Sequence, residues 1–433
     1  MKKFLYRRSV TAMIWLAVLF ALNPVFVKAA ACRDGNEDME TKQDPDALSG
    51  YRYINPDLTA FLSGIYTKLL DREFDVEGLE YWCRIYFTKE MTLEEIIENG
   101  FLHSEEFESK DFDNKTFIVK MYEAFFNREP DEAGLCDWVQ RLESGKETRD
   151  SVIKGFVYSE EFSKRIFYIE RPAVDLMIFM GQSNMSGGGG NAAEAPVLTR
   201  GAGYEFRAVT NTGDLFVLKE PFGENENKEG GCDDRFILKR SGTLVTAFVN
   251  AYYENTKTPV IAVSASRGST HMKEWTGGGI SLKEDAAERL MCAKNYLEQN
   301  GFGIRHIYMV WFQGESDGAD RTSADAYKRD FESLFSYMQG YGVEKCFLIE
   351  TGYDLHDLEQ ENQEKIEGYR AIMQAQEEIC RESEDVILAS AAAPGLQSRD
   401  DKWCDGVHFN QESLNKIGRE AGQRAGEYTV YGQ

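Results

Sequence analysis

The sequence predicts a two-part chain: an all-α region of tandem repeats, then an α/β domain whose parallel sheet is covered by helices on both faces. Two observations lead there. A segment near the N-terminus recurs 56 residues later, with Arg72, Glu73, Asp75, Gly78, Leu79 and Trp82 repeated as Arg128, Glu129, Asp131, Gly134, Leu135 and Trp138. From Arg171-Pro172 onward, short apolar runs alternate with amphipathic helical patterns, the rhythm of strands joined by crossover helices. The length of 433 residues leaves room for one large domain and a smaller one.

The first 31 residues read as a secretory signal peptide. Lys2, Lys3, Arg7 and Arg8 form a basic start, Ala12 to Leu22 an apolar core, and Ala29-Ala30-Ala31 a small-residue cleavage site. The core is short for a membrane span and Asn23-Pro24 interrupts it. A secreted or cell-surface protein of bacterial type is expected. An uncleaved anchor is the main alternative; lipidation at Cys32 is disfavoured because Lys28 and Ala29 fit a lipobox poorly.

Cleavage removes five positive charges and no acidic residue, taking the formal net charge from −24 to −29. So acidic a surface repels nucleic acid and anionic lipid and suits an extracellular enzyme acting on a neutral substrate. The eight cysteines form neither a dense disulfide framework nor a paired CxxC metal signature. Cys292, Cys346 and Cys380 read as buried thiols, while Cys83 and Cys136, at related places in the repeats, leave a bridge open.

After a polar linker, 32–57, the repeats span about 58–112 and 113–165. Leu69 to Trp82 recurs as Phe125 to Trp138, and each copy ends in Ser-Glu-Glu-Phe, at Ser104 to Phe107 and Ser159 to Phe162. The offsets are 56 and 55 residues, so one extra residue is expected in the loop between. Ile65, Tyr66, Leu69 and Leu70, mirrored by Met121, Tyr122, Phe125 and Phe126, keep helical spacing. Asp71, Asp75 and Asp131 have a Ca²⁺-ligand reading, but their spacing lacks the alternating oxygens of an EF-hand loop; helix capping and ion pairs explain them more simply.

In the α/β part, strands are expected at 174–180, 259–265, 306–312, 346–351 and 386–392. Helices carry Ala286/Leu290/Ala293/Leu297, Tyr327/Phe331/Leu334/Met338 and Leu414/Ile417/Ala421/Ala425. Sites in such sheets gather at the carboxyl ends of the strands, and four phrases point there. Gly181-Gln182-Ser183-Asn184 follows the first strand, where a sharp turn exposes a serine and frees amide N–H groups. Gly268 follows the second strand and Gln313-Gly314-Glu315-Ser316-Asp317 the third. Asp405-Gly406-Val407-His408 precedes the last helix; a carboxylate three residues before a histidine in a turn reaches its Nδ1 and leaves Nε2 to take a serine proton.

These phrases and their order resemble the SGNH hydrolases, in particular the sialic-acid-specific acetylesterase and acetylxylan esterase branch of the carbohydrate esterases, over about residues 172–430. The resemblance implies a three-layer α/β/α, flavodoxin-like fold and removal of O-acetyl groups from a glycan through a serine acyl-enzyme. It implies Ser183 as nucleophile, His408 as base, Asp405 as its orienter, and an oxyanion hole from the N–H groups of Ser183 and Gly268 with the Gln313 amide. The repeats resemble a domain of unknown function common in bacterial exported proteins, which implies architecture and, by extension, surface or polysaccharide attachment.

Competing readings are specific. Ser183 on its local pattern alone is a turn residue. Of five histidines, His103, His271 and His306 sit in a repeat, a loop and a strand, while His356, in Asp354-Leu355-His356, follows a strand and rivals His408. Gly314-Glu315-Ser316-Asp317-Gly318 matches a nucleophile-elbow pattern, but its two flanking carboxylates repel an oxyanion. Arg267, Lys273 and Trp275 are candidates for the substrate rim, along with an insertion at about 186–240. No pattern points to a cofactor or metal. A surface glycan-binding protein with an esterase-like domain is the alternative function. The acetylated sugar itself and the oligomeric state are left open.

Overall fold

A computed structural model of the chain describes residues 55–224, 226, 240–277, 282–403 and 405–432. The expected leader, Cys32 and nearly all of the linker lie outside these residues.

The N-terminal region is helical, as expected. Its first unit holds α1 (Pro56–Leu70) and α2 (Val76–Phe87); the second holds α3 (Asn114–Phe126), α4 (Glu132–Glu143), α5 (Arg149–Val157) and α6 (Glu160–Glu170). The conspicuous acids serve the helix ends. Asp71 and Asn127 close α1 and α3 in the left-handed conformation. Asp75 and Asp131 cap α2 and α4 by accepting from the N–H groups of Gly78 and Gly134 at 2.7 and 2.8 Å. Arg72 lies over the Tyr66 ring and pairs with Glu106; Arg128 lies over Tyr122 and pairs with Glu161. Thus an arginine at the same repeat position lies over a tyrosine and pairs with a glutamate in both copies.

The extra residue of the first unit sits in a helix, not in the expected loop. Where the second unit has α5, the first has a wider π-helical segment, Ile96–Leu102, with His103 N–H donating to the Glu98 carbonyl at 3.0 Å. An i→i−5 bond takes up one residue more per turn. The open question of a Cys83–Cys136 bridge is also answered: both are free thiols, Cys83 buried and Cys136 exposed.

Among the described residues the strands are β1 (Val174–Gly181), β2 (Gly203–Arg207), β3 (Asn211–Val217), β4 (Val260–Ser264), β5 (Ile304–Phe312), β6 (Lys345–Ile349) and β7 (Val386–Ser390). They lie in the order β3-β2-β4-β1-β5-β6-β7, all parallel except the β2–β3 hairpin. The five expected strands are present within about two residues at each end. In contrast, β2 and β3 come from the insertion expected at the substrate rim; β2 instead pairs with β4 and extends the sheet edge.

Alternate residues of β1 explain the layers. Leu176, Ile178 and Met180 face one cluster with Leu290 and Ala293 of the helix Leu282–Gln299, Phe331 of Ala324–Gln339 and Ile372 of Gln363–Glu382. Met177 and Phe179 face the other, with Phe248 of Val245–Thr256 and Leu414 and Ile417 of Gln411–Tyr431. Both faces are covered, as the continuous apolar strands require. The single acid of β1, Asp175, is tolerated because the Tyr252 hydroxyl donates to it at 2.6 Å and Arg305 pairs with it at 3.3 Å.

The repeats are joined to this sheet by packing. Phe167 of α6 stacks on Tyr204 of β2 at 4.0 Å and on Phe302 at 4.9 Å, and the Tyr168 hydroxyl meets that of Tyr296 at 2.6 Å. Beside this seam, at the amino ends of the strands, lies a cavity of about 930 Å³ lined by Tyr86, Glu170, Arg200 and Tyr253.

Candidate active site

Without its edge hairpin the sheet reads β4-β1-β5-β6-β7, so β1 lies between the next two expected strands. Connections leave β1 in opposite directions there, which opens a crevice at the carboxyl ends of β1 and β5. Ser183 stands in that crevice. Gly181 ends β1 at φ 136°, and a Cβ on it would lie 2.0 Å from the Phe312 carbonyl oxygen. Only glycine lets β1 turn so close to β5. Gln182 stays extended, and Ser183 opens a single helical turn, Ser183–Ser186. Its N–H is one of the first-turn donors that have no acceptor within the helix. The residue is 3% exposed.

Hydrogen bonds tie the three other phrases to this turn. The Gln182 side-chain oxygen accepts from Gly314 and Ser316 N–H at 3.4 and 3.3 Å. Arg267 N–H donates to the Gly181 carbonyl at 2.8 Å, and the hydroxyls of Ser186 and Ser266 meet at 2.9 Å, which brings the Gly268 loop alongside. Asn184 is the bridge that sequence reasoning missed. Its oxygen accepts from Phe409 N–H at 3.0 Å, and its amide donates to Glu315. The residue after His408 is thereby held to the residue after Ser183.

His408 Nδ1 lies 2.6 Å from Asp405 Oδ2, while Asp405 Oδ1 accepts from Val407 and His408 N–H at 3.0 Å each. A carboxylate only accepts, so in the neutral ring the proton sits on Nδ1 and the lone pair on Nε2. Burial of Asp405 opposes its charge, but the His408 ring and those N–H groups outweigh it and hold the carboxyl below its usual range. His356 differs: it is half exposed and its Nδ1 is 3.3 Å from Asp354. Its ring lies against Gly406, so it backs the His408 turn from outside. His103, His271 and His306 each sit beside other carboxylates: Asp150, Asp320 and Glu344.

Two expected roles are corrected. Gln313 has no N–H to offer an oxyanion: its amide nitrogen donates to the Thr270 carbonyl at 2.9 Å and to Asp317 at 2.7 Å. Turning the amide over would set its oxygen against those two acceptors. Gln313 therefore fixes the Gly268 loop through Thr270, with Asp317 also accepting from Met272 N–H at 2.8 Å. Trp275 is not a rim residue. It is fully buried, edge-on to Trp311 at 5.2 Å, with its indole N–H on the Thr270 hydroxyl. Arg267 is partly buried and Lys273 exposed, both in the loop and turn that follow β4. Ser316 follows Gly314 and Glu315 at the start of the short helix Glu315–Ala319, and its N–H donates to the Gln182 side chain.

Beneath the His408 turn lies Lys402, another residue that sequence reasoning missed. Its amine is 3.5 Å above the Phe409 ring and 3.3 Å from the Val407 carbonyl. Burial pulls it down to about 8, against the attraction of Glu315, Asp354, Asp405 and Asp401. Nothing in its spacing announces this; the neighbouring run of aspartates reads as solvated surface.

No curated protein matches the chain. A domain of unknown function, DUF4214, matches residues 98–166, across the junction of the two helical units. An Arabidopsis thaliana protein of known structure shares 19% identity, covering 60% of this chain and 99% of its own, with a TM-score of 0.43. NanS shares 14% identity over 60% of this chain and 98% of its own, at a TM-score of 0.42. A carbohydrate acetylesterase from Xanthomonas citri shares 12%, at a TM-score of 0.37, with 60% of this chain covered but only 57% of that one. The family described as "Carbohydrate esterase, sialic acid-specific acetylesterase" matches residues 173–426, more than half of the chain. With its sheet, its crevice and these residues, the chain belongs to the sialic acid-specific acetylesterase family of carbohydrate esterases.

Proposed function

We propose that this protein is an exported carbohydrate esterase that removes O-acetyl groups from a glycan through an acetyl-serine intermediate. The observation that carries the reading is the junction of Ser183 with the Asp405–His408 pair through Asn184 and Phe409. Ser183 Oγ attacks the ester carbonyl while His408 Nε2 takes its proton. Asp405 balances the imidazolium charge. The N–H groups of Ser183 and Gly268 face the oxyanion, two donors of the kind whose individual loss costs about 10²–10³ in turnover. The tetrahedral adduct then breaks its bond to the sugar oxygen as His408 returns the proton to it, leaving acetyl-serine, and water activated by His408 releases acetate by the same route. The leader supports export, and the acidic surface suits an uncharged polymer. The helical units serve attachment or substrate targeting in this reading.

Acetate release from p-nitrophenyl acetate and acetylated xylan, with Ser183→Ala and Ser316→Ala beside wild type, tests the mechanism. Ser183→Ala is expected to lose at least about 10³-fold in turnover, and Ser316→Ala to keep wild-type turnover. Full activity in Ser183→Ala rules the mechanism out. Sugar binding with no hydrolysis by wild type favours a glycan-binding protein instead.

A further inference from the structure

We propose that Trp403 is the sugar-stacking residue of this site, holding the acetylated pyranose ring beside His408; the inference rests on the esterase reading above. Lys402 and Phe409 pair as an antiparallel bridge, and Trp403 N–H donates to the His408 carbonyl at 2.7 Å. Residues 403 and 408 therefore stand opposite one another. Opposed residues of an antiparallel pair project from the same face, about 5 Å apart at Cβ.

Gly189 gives an independent check. A Cβ placed on it would lie 2.7 Å from the His408 Cβ and 2.9 Å from the Trp403 Cβ, so both side chains leave the hairpin over the same spot. On the opposite face Lys402 and Phe409 point inward, the amine over the ring. Side chains alternate along the strand, so the register that buries Lys402 turns Trp403 outward.

The two exposures then differ in an informative way. Trp403 is 46% exposed, while the His408 side chain is 12% exposed. Trp275 and Trp311, in contrast, are fully buried against each other. A half-exposed indole on a hairpin pinned by a buried cation is a rigid apolar plate at the edge of the catalytic pair. The C–H face of a pyranose is apolar while its rim is hydroxylated, and an amphipathic aromatic serves that combination. An acetyl group reaching Ser183 from a ring on that plate leaves its sugar oxygen on the side from which His408 must protonate it. Stacking acts on the sugar and not on the acetyl group, so it binds ground state and transition state alike and is read in KM rather than kcat.

The test compares wild type, Trp403→Ala and Trp403→Phe on p-nitrophenyl acetate and on a panel of acetylated methyl pyranosides and acetylated xylobiose. For Trp403→Ala the expected result is unchanged kinetics on p-nitrophenyl acetate and a KM about ten-fold higher on the best sugar ester, about 1.4 kcal/mol, with kcat held. Trp403→Phe is expected to recover most of that loss. Equal losses on both substrates would mean that the indole only shapes the hairpin, and an unchanged KM on the sugar would mean that it touches no sugar; either overturns the inference while leaving the esterase reading intact. Wild type active on p-nitrophenyl acetate and on no sugar overturns it together with the carbohydrate part of that reading. Inactivity of wild type on every ester removes the esterase reading itself and the inference with it.

Discussion

Lys402 shows how one buried charge steadies the turn that carries His408. Its amine holds the Val407 carbonyl and the Phe409 ring, so the residues on either side of His408 are fixed by the same group. Below about pH 8 the amine is charged and both contacts have full strength; above it the cation–ring attraction and the pull of Glu315 and Asp405 fall away. Turnover of wild type is therefore expected to decline above about pH 8. Lys402→Met is expected to be slower at pH 7 and to lack that alkaline limb, as a pH–rate profile reads directly. Asp405→Asn tests the neighbouring contact: it keeps the shape but removes the charge that sets the His408 tautomer, and turnover should fall by roughly 10²–10⁴ with little change in KM. A change confined to KM would place Asp405 in substrate binding instead.

The ends of the strands hold the elements' least comfortable groups. Glu350, just past β6, is buried, and that burial together with the nearby Glu377 pushes its carboxyl up to about 7 from an ordinary 4.5. Its folded form keeps a proton that the unfolded chain gives up. Its cost is absent below about pH 4.5, grows as pH rises toward 7 and is complete above that, roughly 3 kcal/mol as an upper estimate. Glu350→Gln should therefore raise Tm above that of wild type at pH 8 and much less at pH 5. Equal gains at both values would contradict the burial argument. Strands with continuous apolar runs were legible because burial on both faces writes itself in composition. The β2–β3 hairpin was not, since Asn211, Thr212 and Gly213 of β3 are exposed at the sheet edge and read as loop. The four phrases around Ser183 could be read from their order alone. Trp403 could not, because its meaning comes from standing opposite His408 across a turn. Gln313 and Trp275 misled for a related reason: a side-chain amide or an indole looks available until its hydrogen-bond partners are known.

At the scale of the whole molecule the repeats and the sheet share side chains. Phe167, lodged between Tyr204 and Phe302, belongs to the same apolar cluster as β1. Phe167→Ala is expected to destabilise the protein by about 3–5 kcal/mol, seen as a single lowered unfolding transition; two separate transitions would mean that the halves melt independently. The family match begins at residue 173, six residues after Phe167, so a fragment cut there would leave Tyr204 and Phe302 without their partner. That weld also fixes aim. If the helical units attach to a surface or polymer, as proposed, the Ser183 crevice would meet it at one set angle and one set reach, and would work a defined strip rather than sweep around a tether.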